Sequence, residues 1–347
     1  MSEKISIKML SISDIVKGQG VSSAFHEQVN LVSKSDKLDI CVNKHFKNAD
    51  ITHHHTVGVG SYIRMFNKKT IHVAYVHMLA EKLEGSIKLN SLFYKIFKWY
   101  THSFYRKADY LVIVNPDTKK MLLSYGISED KIYYIPNYVS SDQFYEVDDN
   151  LKLRYKQKYK FKTDRMTILS VGQVLLGKGV EDFIASAKNN PHLDYVWAGG
   201  FTFGPLTDGY ETLKDYVENP PKNVRFIGLI DRRVINEVYN AADILFMPSF
   251  NEMFPMTILE AVNTHTPIVI RNLELYEDIL FDYYRPCAGI VDFDDEILKI
   301  TQDEAYRKQS ICNSVKLKDS YDQKYVLKLW EDFYSDILKK KGRNNVK

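Results

Sequence analysis

The chain has few cysteines and no long apolar run. Cys41, Cys287 and Cys312 are odd in number and lack the spacing of metal ligands. This argues against a disulfide framework or a thiolate metal centre and for reduced thiols in the cytoplasm. No segment approaches the roughly 20 apolar residues that cross a bilayer, so any membrane work would be done from one side. The first residues, "MSEKISIKML", alternate charged and apolar side chains, which predicts an opening strand and not a secretion signal. Tandem repeats at solenoid periods are missing. Net charge is only +3, a poor footprint for nucleic acid.

What is present is globular: 45% hydrophobic and 26% charged residues in 347, too long for one ordinary core. Charge is unevenly spread. "SIKLNSLFYKIFKWYTHSFYRK", residues 86–107, carries Lys88, Lys95, Lys98, Arg106 and Lys107 with no acid, interleaved with aromatics that include Trp99. Lysines near an anionic surface with aromatics at headgroup level would suit a membrane. An ordinary helix would instead put Leu92, Ile96, Trp99 and Tyr100 in the core and its lysines in water. The two readings combine into a partly buried helix with a cationic outer edge.

Short apolar strand candidates alternate with longer amphipathic stretches throughout, the pattern of parallel sheets covered by helices. "ISIKMLSI", "LDICVN", "DITHHH", "IHVAYVH", "DYLVIVN" and "KIYYIPN" fall in the first half; "MTILSVGQ", "DYVWAGG", "VRFIGLI", "DILFMPS" and "PIVIRN" fall in the second. The basic stretch between them, "DDNLKLRYKQKYKFKTDR", breaks the rhythm and is expected to be a solvated connector or a second lipid contact. The expected domains are therefore 1–155 and 156–322. The segment 323–347, with Val326, Leu329, Trp330, Phe333 and Ile337 at helical spacing, forms a helix that packs back on the first domain. Doubly wound sheets bind ligands beyond the carboxyl ends of their strands, so a cleft between two such domains is where chemistry should lie.

After "MTILSV" comes "GQVLLGKGVEDFI", where Gly172, Gly177 and Gly179 permit tight turns and Lys178 precedes a helix from about Val180. A helix start with an added lysine suits phosphate, although such turns are common. Gly18 and Gly20 after the first strand are weaker, because the dinucleotide fingerprint is incomplete. In "SFNEMFPMTILEAV", Glu252 lies in the loop after a strand, Pro255 fits the first turn of a helix, and Glu260 sits in an apolar run of that helix. A buried carboxylate needs a partner. It could be the hydroxyls of a ribose or hexose, or simply a nearby lysine or arginine. His77 and the run His53, His54, His55 end strands. Three adjacent histidines on a strand face alternate sides and cannot share one metal.

In this order the stretches resemble the retaining family-four glycosyltransferases of the GT-B arrangement, which have two Rossmann-like domains. "VGQVLLGKGVEDFI" is similar to the family's pyrophosphate motif, and residues 223–269 to its donor-binding core. "KIYYIPNYVSSDQF" is similar to the end of the first domain. The resemblance implies that Glu252 and Glu260 contact the donor hexose and the nucleotide ribose respectively. It further implies that Gly18, Gly20, Gln173, Lys178, Met253 and Phe254 line the donor site, and that His77 lies near the donor sugar. "LSISDIVKGQGVSSAFHEQV" and "SIKLNSLFYKIFKWYTHSFYRKADYLVIVNP" are similar to bacterial diglycosyl-diacylglycerol synthases. That likeness implies transfer of glucose or galactose from a UDP-sugar to glucosyl-diacylglycerol, giving a membrane glycolipid that anchors lipoteichoic acid, by a peripheral enzyme on the inner face of the membrane. It implies no metal and no cofactor, with the leaving phosphate helping to deprotonate the acceptor. Departures are Gln173 for the usual arginine, Tyr138 for a glycine, and Met253-Phe254-Pro255 for Gly-Phe-Gly. Glutamine cannot neutralise a charge, and proline has no amide to donate. Alternatives are a transferase for a soluble or polyprenyl-linked saccharide, a degenerate nucleotide-sugar-binding protein, and a nicotinamide oxidoreductase.

Overall fold

A computed structural model of the chain describes residues 4–12, 20–43, 49–83, 91–202, 204–207 and 209–344. Among these, the residues up to Tyr138 and again from Tyr321 form one unit, and those from Val139 to Ser320 form another. In the first unit β1 (Ile5–Leu10), β2 (Leu38–Val42), β3 (Ile51–His54), β4 (Ile71–Val76), β5 (Tyr110–Ile113) and β6 (Ile132–Tyr134) lie in the order β2-β1-β3-β4-β5-β6. Every pairing is parallel. Helices α1 (Gly20–Val32), α2 (Val59–Arg64), α3 (Ser91–Lys107) and α4 (Thr118–Ser124) connect the strands.

The second unit begins with α5 (Asp149–Lys158) and continues β7 (Thr167–Val171), α6 (Val180–Asn189), β8 (Asp194–Ala198), α7 (Tyr210–Glu218), β9 (Val224–Gly228) and α8 (Ile235–Asn240). Then follow β10 (Ile244–Met247), α9 (Met256–Asn263), β11 (Ile268–Arg271), α10 (Glu277–Leu280), β12 (Pro286–Cys287), α11 (Ile290–Gln302) and α12 (Glu304–Ser320). The strand order β12-β11-β10-β7-β8-β9 has its reversal between β7 and β10. Central strands such as β4 and β8 are buried along their whole length. That is why they read as continuous apolar runs without alternation.

Both units are doubly wound α/β, as the strand rhythm predicts. Only β12 lies outside the eleven expected strands, because two residues carry no pattern. The basic stretch differs from expectation: much of it is α5. Asp148 caps it, accepting from the Leu151 amide at 3.0 Å. Lys156 reaches Asp243 at 2.6 Å, Lys158 pairs with Glu237, and the Tyr159 hydroxyl donates to Glu237 at 2.7 Å. These acids lie in the second unit, so the segment is held there by charge matching. The division accordingly falls after Tyr138, upstream of residue 155.

The last helix, α13 (Gln323–Asn344), belongs to the first unit. Val326, Trp330, Phe333 and Ile337 are buried, with Tyr334 beside them; Leu329 is only half-buried. Trp330 meets Tyr75 of β4 edge-on at 5.4 Å, and the Tyr334 hydroxyl lies 2.9 Å from His53 Nδ1. Trp330→Ala is expected to destabilise this unit by about 3–5 kcal/mol through the cavity it leaves. Urea unfolding followed by circular dichroism checks this, and an unchanged midpoint contradicts the packing.

Candidate active site

The carboxyl ends of β7 and β10 flank the point where the second sheet reverses its order, the place where such sheets bind ligands. The loop after β7 holds Gly172 to Gly179; the loop after β10 holds Pro248 to Pro255. They touch: the Phe250 amide donates to the Gly177 carbonyl at 2.9 Å. Gly179 has φ +74, and a Cβ there would meet the Pro248 carbonyl oxygen at 2.4 Å. Only glycine fits both the left-handed backbone and the close approach. As the residue before α6 it also has no side chain to cap that helix. The first-turn amides and the positive end of the helix dipole therefore remain for an external anion.

Lys178 Nζ donates to Glu252 Oε1 at 2.6 Å, with the lysine side chain 30% exposed and the carboxylate 8% exposed. One cation and one acid thus bridge the two loops at the reversal. Arg271, at the end of β11, buttresses them. Its Nε donates to the Pro248 carbonyl at 3.0 Å, its guanidinium lies 3.8 Å from the Phe250 ring centroid, and it pairs with Asp182 of α6. Beside them the Ser249 and Tyr276 hydroxyls are buried and have no hydrogen-bond partner. Burial first, and the Glu252 charge second, push the Tyr276 phenol well above its usual range.

Glu260 is 4% exposed in the middle of α9. Its partners are internal: Arg232 Nη1 donates to Oε1 at 2.6 Å, and the Tyr239 hydroxyl donates to Oε2 at 2.6 Å. A carboxylate accepts at about four lone-pair positions, so two contacts leave capacity for a ligand hydroxyl. Among the described residues no three His, Cys, Asp or Glu side chains are grouped as metal ligands.

In the first unit, His53, His54 and His55 face different neighbours: Tyr334, His72 and His77 respectively. His55 follows β3 beside β1, where this sheet reverses, and its amide donates to the Leu10 carbonyl at 2.8 Å. The His55 and His77 rings are stacked at 5.7 Å. Neither His55 ring nitrogen has a partner, nor does His77 Nε2. Burial lowers His54 and His77 to about 3, and His53 and His55 well below 6.5. These imidazoles are neutral at physiological pH and act as hydrogen-bonding groups, not charges.

Residues 152–314 match the family model described as glycosyl transferases group 1, and residues 25–143 match glycosyltransferase family 4. The chain is 38% identical over 335 residues to the alpha-galactosylglucosyldiacylglycerol synthase of Streptococcus pneumoniae, covering 96% of this chain and 90% of that one. This chain belongs to the family 4 glycosyltransferases. The processive diacylglycerol alpha-glucosyltransferase of Acholeplasma laidlawii is 21% identical, over 94% of this chain and 96% of its own length. Among solved structures, Anabaena HepE in complex with UDP and glucose has a TM-score of 0.74 at 13% identity, covering 95% of this chain and 99% of that one. Sucrose-phosphate synthase from Thermosynechococcus elongatus has a TM-score of 0.79 at 15% identity, with 96% and 99% covered. These likenesses establish the GT-B fold of the glycosyltransferase.

The expected residues fall in several places. Lys178, Glu252 and the loops carrying Gln173, Met253 and Phe254 lie around the β7/β10 reversal, with the Phe254 side chain itself buried. Glu260 lies on the following helix, engaged by Arg232. Gly20 opens α1 with open space around it; Gly18 and Lys88 lie outside the described residues. Lys95, Trp99 and Arg106 are exposed on α3, Lys98 pairs with Glu81 at 3.0 Å, and Lys107 sits 3.9 Å over the Phe66 ring. The core placement of Leu92, Ile96 and Trp99 does not hold: they are 64%, 54% and 64% exposed, Tyr100 is half-buried, and the buried face of α3 is Thr101, Phe104 and Tyr105. Sequence reasoning missed Arg232, Tyr239, Arg271 and Tyr276. Arg271 had a signal, a charge at the end of an apolar strand. The others lie on helices or turns with no local mark.

The buried imidazoles of His53, His54, His55 and His77 fix a pH dependence. Their folded pKa values lie below the unfolded value of about 6.5, so below that pH the unfolded chain binds more protons. Stability is full above pH 6.5 and falls as pH drops towards 3, by about 1.4 kcal/mol per pH unit for each buried imidazole. Urea midpoints of the first unit measured from pH 7.5 to 5 are expected to fall steeply; a flat profile contradicts the burial of these rings.

Proposed function

We propose that this glycosyltransferase moves glucose or galactose from a UDP-sugar to glucosyl-diacylglycerol with retention at the anomeric carbon. The product is a diglycosyl-diacylglycerol, a lipoteichoic acid anchor precursor. The observation that carries the donor side is the Lys178–Glu252 pair beside the uncapped start of α6. The acceptor class is supported by the two relatives named as a galactosylglucosyldiacylglycerol synthase and a diacylglycerol glucosyltransferase. The UDP and glucose bound to HepE support the donor class.

In this reading the diphosphate draws Lys178 from Glu252 and takes the first amides of α6, so fixed positive groups meet the charge that develops as the phosphate leaves. Glu252, released from its lysine, accepts from the hexose hydroxyls. Glu260 keeps Arg232 and accepts additionally from the ribose. Backbone around Met253 and Phe254 and the Gln173 amide complete the donor site; Gln173 leaves more of the charge to Lys178. The anomeric carbon–oxygen bond to the phosphate breaks, and the acceptor oxygen bonds to the same face of that carbon. The acceptor proton passes to the leaving phosphate oxygen. Neutral His77 contributes a hydrogen bond to a sugar hydroxyl. The transfer asks no metal of the protein.

A diacylglycerol acceptor also requires contact with a bilayer. Among the described residues no helix is long and apolar enough to cross a membrane. The reading is peripheral attachment to the anionic inner face through α3, with Lys95, Trp99, Arg106 and Lys107 at the surface. Lys178→Ala and Glu252→Ala are each expected to lower kcat by about 10²–10³-fold while the fold, read by circular dichroism, stays intact. UDP release from UDP-glucose and UDP-galactose in glucosyl-diacylglycerol vesicles reads this out. Near-normal rates in both variants would show that donor chemistry lies elsewhere, and donor binding without turnover would favour a degenerate binding protein.

A further inference from the structure

The short helix α2 presents an apolar face that the assigned functions leave unexplained. Val59, Ile63 and Phe66 are 67%, 63% and 60% exposed. Val59 and Ile63, four apart, share one face of α2, and Phe66 stands in the turn just after it. This face adjoins that of α3. The Tyr62 and Ser103 hydroxyls are 2.8 Å apart, the Tyr62 and Tyr100 rings 5.7 Å apart, and Lys107 of α3 lies over Phe66. Exposed Leu92, Phe93, Ile96 and Trp99 continue the surface along α3.

The surroundings are cationic. From Thr56 to Ala80 there is no acidic residue, while Arg64, Lys68 and Lys69 are exposed. Glu81 is an acid beside α3, and Lys98 meets it at 3.0 Å; apolar and aromatic side chains with Arg64, Lys68, Lys69, Lys95 and Arg106 around them match the chemistry of an anionic lipid interface. Contiguous exposed apolar surface of this kind is otherwise a liability in a water-soluble protein.

We propose that α2 and α3 form one bilayer-inserting face, with Val59 and Ile63 entering the acyl region alongside Trp99. The inference rests on the membrane reading of α3 and extends it to a second helix. It also gives the lipid a route. Ile12, 58% exposed, has its Cδ1 3.5 Å from where a Gly58 Cβ would lie, and its amide donates to Thr56 Oγ1 at 3.2 Å. The apolar surface thus runs from α2 to the carboxyl ends of β1 and β3, where His55 lies beside His77. A glycolipid drawn along it would keep its acyl chains on apolar side chains while its sugar reached the imidazoles.

The three tryptophans make the test direct, because Trp197 and Trp330 are 2% and 1% exposed while Trp99 is 64% exposed. Emission changes on membrane contact therefore report Trp99. The full chain is mixed with phosphatidylglycerol–phosphatidylcholine vesicles and followed by flotation and tryptophan emission. The wild type is expected to float and shift to the blue. Val59→Ser with Ile63→Ser should lower partitioning at least about tenfold, whereas Ile63→Leu should retain it. Vesicle-free hydrolysis of the UDP-sugar should be unchanged, showing an intact fold. When Trp99→Phe is combined with Ile63→Trp, brominated acyl chains should quench the introduced tryptophan. If the serine variant binds as the wild type does and the introduced tryptophan is not quenched, α2 is not inserted and only the α3 reading survives. If the wild type itself stays in solution, or self-associates through Ile63, the membrane reading fails with it.

Discussion

Two carboxylates withdrawn from water, Glu252 and Glu260, set the constraint around which the second unit is arranged. An ionised carboxylate loses several kcal/mol of hydration on burial, and each here is met by a cation at 2.6 Å. The partners differ in kind. Arg232 is supported by α8 and α9 through the shared contact of Tyr239 with Glu260, so that pair is structural. Lys178 stands at a loop end beside a helix start without a side-chain cap. Under the proposed reading its ammonium is the one an incoming diphosphate takes over. A ligand that removes it must supply donors to Glu252 in exchange, and sugar hydroxyls do so. Under the proposed reading, phosphate binding and sugar binding are therefore linked through a single ion pair, which favours a nucleotide sugar over either half alone.

The architecture was legible because short apolar runs recur between amphipathic stretches, and all eleven expected runs are strands, with central ones such as β4 and β8 buried along their whole length. The reversal between β7 and β10 was not legible, since strand order is a long-range property. Yet the residues at the reversal could be found: charge placed soon after an apolar strand marks Lys178 and Glu252 alike. What the sequence hid was pairing. Arg232 is twenty-eight positions from Glu260 and sits in a run of charges, Asp231-Arg232-Arg233, that reads as solvated surface. The basic stretch from residue 148 misled for the opposite reason. Lys156 and Lys158 look unopposed locally, but Asp243 and Glu237, far along the chain, pair with them.

The first unit handles buried polarity differently. His53, His54, His55 and His77 are kept neutral by burial, and α13 returns to supply Tyr334 to His53. That last helix is thus part of the core around the strand ends where His55 and His77 stack. Neutrality there suits contact with an uncharged, hydroxyl-bearing acceptor, just as the second unit's paired charges suit an anionic donor. Arg64 of α2 and Lys95 and Arg106 of α3 lie at the surface of this unit, where Val59, Ile63 and Trp99 are also exposed. Under the proposed reading, charge and apolarity are distributed by partner: the donor at a helix start and acids in the second unit, the acceptor at imidazoles and the outer helices of the first.

The central claim is that Lys178 exchanges Glu252 for a diphosphate. A crystal structure with bound UDP tests it most directly. The expected result is a diphosphate at the start of α6 within hydrogen-bonding distance of Lys178 Nζ, the contact with Glu252 broken, and the ribose beside Glu260. Nucleotide bound away from residues 173–180 and 252–260, or bound there with the Lys178–Glu252 pair intact, would contradict it.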